Sequence, residues 1–186
     1  RVGISGSGVV ELGNGNYVVG SFNWNNGRGA ATWGSGTSGM AGVLSAANSL
    51  VGSTAEDRVG SSGIVSLGNG NYLVLNPHWS NGTITGAGAV TWGNGTSGIA
   101  GVVSAANSLV GTAVNDGVGY RVTALSNGNY VVASPSWAAS VGAVTWGDGA
   151  AGTVGVVSAA NSLVGSTADD RVGSAGGALQ GIIHRG

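Results

Sequence analysis

The sequence predicts an all-β fold, a repeat array of four-stranded antiparallel modules read as β-propeller blades, with a β-prism as the alternative. Three observations predict it. A unit of about 56 residues is written three times, with a period far above 20 residues, as expected for modules that bury their faces against neighbours. Each copy carries an Asn-Gly-Asn-Tyr hairpin signal between short β-branched runs. Each copy also divides into four short strands, and the unit is longer than the usual coil of a parallel β-solenoid. The units span residues 1–57, 58–116 and 117–170, and residues 171–186 imitate an inner strand before diverging at Gln180 to His184. Together they form one repeat domain.

In copy one the first strand covers residues 8–12 and stops at Gly13-Asn14-Gly15, where Asn and Gly tolerate positive φ. The second starts at Tyr17 and runs toward Trp24. A loop containing Asn26-Gly27 leads into the third strand at residues 30–34, and Gly34-Ser35-Gly36 turns out of it. The fourth is placed at residues 42–51, where a helical turn over residues 45–50 is an open alternative. Spacing separates rigid parts from loops. Trp33, Trp92 and Trp146 each precede the Ser of Ser-Ala-Ala-Asn by 12 residues, whereas Trp24 to Thr32 and Trp137 to Thr145 are eight residues and Trp79 to Thr91 is twelve. Length variation concentrates in surface loops, so the segment after Trp24, Trp79 and Trp137 is expected at the surface.

Composition narrows the function classes. Six arginines, no lysine and seven acidic residues leave a net charge of -1, with no run of one sign. Nucleic acid and anionic membranes are therefore not expected as partners, because both are held by clustered cations. Glycine is abundant at 39 of 186 residues, but 42% hydrophobic residues and six tryptophans supply burial that disordered chains lack. Without cysteine there is neither a disulfide nor a thiolate metal site. No apolar run reaches the roughly 18 residues of a membrane span, and Arg1-Val2-Gly3 does not open a signal peptide, so the expectation is a soluble chain, mature or excised.

The order of features resembles the FG-GAP blade of integrin α-chain-like propellers. Gly52-Ser53-Thr54-Ala55-Glu56-Asp57-Arg58-Val59-Gly60 matches that family's Gly-Ser-x-x-x-Asp-x-Phe-Gly stretch, with Val for Phe. Leu73-Val74-Leu75-Asn76-Pro77 stands where its Gly-Ala-Pro strand end falls, and Gly88-Ala89-Val90-Thr91-Trp92-Gly93 is similar to its Gly-Ala-Val-aromatic strand. The resemblance implies a propeller blade, and in many members a calcium loop between the first two strands. Here that position holds Leu67-Gly68-Asn69-Gly70-Asn71-Tyr72 without a carboxylate, so neither metal nor cofactor is carried over. The unit also resembles repeats of large secreted bacterial haemagglutinin-like adhesins, which implies a secreted or cell-surface setting.

Candidate site residues follow from the two tryptophan registers. Trp33, Trp92 and Trp146 read as packing between blades. Trp24, Trp79 and Trp137 border the variable loop, where exposed rings would stack on sugars while Asn23, Asn25, His78 and Ser136 take hydroxyl hydrogen bonds. Asp57, Asp116 and Asp170 read as turn caps, or as partners of Arg between blades, and Asn48, Asn107 and Asn161 as internal backbone partners. His78 and His184 occupy non-equivalent positions, and nothing builds a repeated catalytic group. The favoured function is a non-enzymatic adhesin or lectin-like module binding a glycan or cell-surface protein. A purely structural spacer, stalk or filament subunit is the alternative. Three such units would leave open faces, so a homo-oligomer or a longer repeat array is expected.

Overall fold

The computed structural model describes residues 8–174, so the expectations for Arg1-Val2-Gly3 and for Gln180 to His184 lie outside the described residues. The described chain is all-β with three tandem sheets and no closed barrel. In repeat 1, β1 (Val9–Glu11), β2 (Tyr17–Gly20), β3 (Ala30–Gly34) and β4 (Leu50–Val51) form an antiparallel meander. Repeat 2 supplies β5 (Ile64–Ser66), β6 (Tyr72–Asn76), β7 (Ala89–Gly93), β8 (Gly101–Val102) and β9 (Ser108–Val110). Repeat 3 supplies β10 (Arg121–Ala124), β11 (Tyr130–Ser134), β12 (Ala143–Gly147), β13 (Gly155–Val156) and β14 (Ser162–Val164).

The first two hairpin strands form where expected. Asn14 closes the turn through its own side chain, its Oδ1 accepting the Asn16 amide at 3.1 Å, and Leu12 N–H donates to the Asn16 carbonyl at 2.8 Å. A tyrosine ring then lies over the third strand. At Gly34, Gly93 and Gly147 an added Cβ would overlap the rings of Tyr17, Tyr72 and Tyr130, which explains the glycine of each Thr-Trp-Gly.

The fourth strand differs from the expected one over residues 42–51. In repeat 1 only Leu50–Val51 is a strand, and residues 45–48 form a single turn in which Asn48 Oδ1 accepts the Ser45 amide at 3.0 Å. The earlier part of the same excursion leaves its own sheet. In repeat 2 it is β8, which pairs in parallel with β4 of repeat 1, and in repeat 3 it is β13, which pairs in parallel with β9 of repeat 2. The sheets therefore run β1-β2-β3-β4-β8, then β5-β6-β7-β9-β13, then β10-β11-β12-β14. Each later repeat gives a strand backwards.

Two apolar cores lie between successive repeats. Side chains alternate across a strand, so Tyr72 and Val74 face the first core while Leu73 and Leu75 of the same β6 face the second. All five residues of β6 are consequently buried. In the third sheet burial alternates along β11, with Tyr130, Val132 and Ser134 buried and Val131 and Ala133 half-buried.

Candidate functional site

Two recurrent polar motifs, the Asn-Gly-Asn turn and the aspartate before Val-Gly, reach across the junctions between repeats, whereas Asn48, Asn107 and Asn161 bond only within their own repeats. At the first junction the Gly95 carbonyl of repeat 2 accepts three donors from repeat 1: Asn14 Nδ2 and Asn16 Nδ2 at 2.8 Å and Trp33 Nε1 at 3.0 Å. At the second, Gly149 O accepts Asn69 Nδ2 at 2.7 Å, Asn71 Nδ2 at 2.9 Å and Trp92 Nε1 at 3.0 Å. Gly95 and Gly149 are fitted tightly, because an added Cβ would overlap the carbonyl oxygens of Gly70 and Gly128. The Asn-Gly-Asn turn is thus a clamp as well as a hairpin.

The aspartates work at the opposite end of the same junctions. Buried Asp57 accepts the Ser53 and Thr54 amides at 2.7 and 2.8 Å through Oδ2, while its Oδ1 accepts the Ser80 amide of repeat 2 at 3.0 Å. Asp116 caps Thr112 and Ala113 in the same way and accepts the Ala138 amide of repeat 3 at 3.0 Å. Arg58 pairs with Glu56 rather than with Asp57. Asp170 is exposed, and hydrogen bonds from the Thr167 amide, the Thr167 hydroxyl and the Ser166 amide hold its carboxyl down at about 2.

The second tryptophan register does not form three equivalent exposed rings. Trp79 is 2% exposed within the first core, and its indole N–H donates to Ser53 Oγ at 3.1 Å. Trp137 is half-buried against the second core. Trp24 is half-buried at the outer side of repeat 1, beside exposed Asn23 and Asn25. Trp24 and Trp137 each open a single helical turn, Trp24–Gly27 and Trp137–Ser140, tightened by left-handed residues.

His78 and Ser136 are exposed and line two grooves that meet at Tyr120, a residue not anticipated from the sequence. One groove, of about 300 Å³, runs past Pro77, His78, Asn115 and Tyr120. The other, of about 410 Å³, is lined by Tyr120, Arg121, Pro135, Ser136 and Arg171 among others. Tyr120 itself is 66% exposed. The only signal for it was an aromatic where the preceding copy has Ser61. Among the described residues no three His, Cys, Asp or Glu side chains gather as a metal site, and no helix is long and apolar enough to cross a membrane.

No curated protein matches the chain. The model of DUF5650, described as a repeat of unknown function, matches three times in succession, over residues 11–61, 66–120 and 124–174. Each match takes in one Asn-Gly-Asn turn, one Thr-Trp-Gly strand and one capping aspartate, and together they cover most of the sequence, so the chain belongs to the DUF5650 family.

Proposed function

We propose that the chain is a non-enzymatic architectural repeat module, a spacer or stalk of propeller-like blades, whose repeated side chains join one blade to the next. The observation that carries this reading is where the repeated groups go. The indole N–H groups of Trp33, Trp92 and Trp79, the paired amides of both clamps and the Oδ1 atoms of Asp57 and Asp116 are all engaged across or beside a junction. A surface evolved to present equivalent rings to a ligand would leave them open, and burial of Trp79 removes one ring from the three-site arrangement.

A second reading, an extracellular adhesin or lectin-like module holding a glycan or cell-surface protein, is favoured by one observation. Tyr120 stands exposed between grooves bearing His78 on one side and Ser136, Arg121 and Arg171 on the other. An aromatic face beside hydroxyl and guanidinium donors suits a sugar ring. Glycan-array screening decides between the two. The architectural reading expects no glycan retained; binding that disappears in Tyr120→Ala with folding intact replaces it with the second.

A further inference from the structure

We propose that a second copy of this chain docks head to tail on the third sheet, its first repeat taking the place that each later repeat takes on the one before. The inference rests on the architectural reading. The two junctions within the chain use the same contacts, and among the described residues the first and third repeats carry the unmatched halves of a third.

At the tail, β14 is the counterpart of β4 and β9 but has no parallel strand beside it among the described residues. Leu163 is 70% exposed, where its counterparts Leu50 and Leu109 are fully buried beneath the neighbouring repeat. Trp146 is 55% exposed, and neither its indole N–H nor the side-chain amides of Asn127 and Asn129 have an acceptor among the described residues, although the corresponding groups meet Gly95 and Gly149. Asp170 is exposed, where Asp57 and Asp116 each reach an amide of the following repeat.

At the head are the complements. Gly42 and Val43 hold the positions of β8 and β13 but pair with no strand among the described residues, and Val43 is 87% exposed against 46% for Val102 and 44% for Val156. Gly36, the counterpart of Gly95 and Gly149, is exposed where those two are buried. Superposing the internal junction assigns the contacts. Leu163 of one copy faces Gly42 of the second, as Leu50 faces Gly101. The Leu44 amide donates to the Val164 carbonyl, as Val103 does to Val51 and Val157 to Val110, both at 3.0 Å. Asn127, Asn129 and Trp146 converge on the Gly36 carbonyl, and Asp170 accepts the Asn25 amide. One further junction element needs no second copy, because Val172 already bridges Gly142 as Val59 bridges Gly29. A contact of this kind uses two different surfaces, so it closes on itself as a ring or continues as a filament.

Sedimentation of the full chain over a wide concentration range tests this. The expected result is a species of at least twice the 17.8 kDa chain mass, reduced to monomer by Leu163→Asp at the tail and equally by Leu44→Asp at the head. Both changes fall at positions that are not fully buried in the single chain, and circular dichroism checks that each variant folds. Mixing the two variants restores one intact contact and produces a dimer that does not grow. A wild-type chain that stays monomeric throughout overturns the inference, and so does an oligomer insensitive to Leu44→Asp, which would mean edge-to-edge pairing. A monomer that retains no glycan leaves the architectural reading standing, whereas glycan binding lost in Tyr120→Ala overturns that reading whatever the mass.

Discussion

Ala138 and Ala139 hold φ of 50° and 56°, the left-handed region where the corresponding Asn25 and Asn26 sit at 49° and 57°. Asparagine visits this region readily; alanine pays a steric cost of about 1 kcal/mol per residue against the following carbonyl. Ala139 is exposed, so Ala139→Gly is expected to raise stability by up to about 1 kcal/mol in urea unfolding, less what glycine gains in unfolded-chain entropy. Tyr72 offers a pH handle. Burial pushes its phenol up from 10.0 to about 12, so the folded state favours the un-ionised ring. Its contribution is therefore complete below pH 10 and is lost as pH rises toward about 12. Alkaline unfolding followed by circular dichroism is expected to shift to higher pH in Tyr72→Phe, and an unchanged midpoint would contradict this account.

The hairpin elements were legible because Asn-Gly stands between short β-branched runs in every copy. The exchanged strands were not. A two-residue strand such as Gly101–Val102 carries no period, and its pairing is set by an edge in another repeat. The same holds for Trp79, whose hydroxyl partner Ser53 lies 26 residues earlier in the chain. Loop length correctly marked a variable segment after it without revealing that the ring itself turns inward. Tyr120 carries no repeat signal, because the equivalent position of the preceding copy is Ser61. What the clamp contributes can be measured. Asn69→Ala with Asn71→Ala removes two bonds to Gly149 O and, inside repeat 2, the bonds from the Gly95 and Asn71 amides, expected to cost about 3 kcal/mol together, while Gly95→Ala, forced against the Gly70 carbonyl of the same repeat, is expected to cost about 1–3 kcal/mol. Paired denaturation curves test both, and a neutral Gly95→Ala would mean the two turns of repeat 2 pack more loosely than drawn.

At the scale of the molecule, stability is a sum of repeats and the junctions between them. With both junctions intact the chain is expected to unfold in one denaturant transition. Trp92→Ala, which removes one of the three donors to Gly149 O and a ring packed on the second core, is expected to separate repeat 3 as an earlier transition, whereas Trp146→Ala at high dilution is expected to change stability by no more than about 0.5 kcal/mol, since that ring is already 55% exposed. A single unsplit transition in Trp92→Ala would argue that the exchanged strand, the Asn69–Asn71 pair and Asp116 couple the repeats without that ring. Those strands also impose an order in time. A chain made from its N-terminus completes the four strands of its first meander by residue 51, yet the edge of that sheet stays bare until residues 101–102 emerge. Nascent repeats are thus sealed one step late, each by its successor, so a ribosome stalled inside the array always leaves one sticky margin, at the newest finished blade.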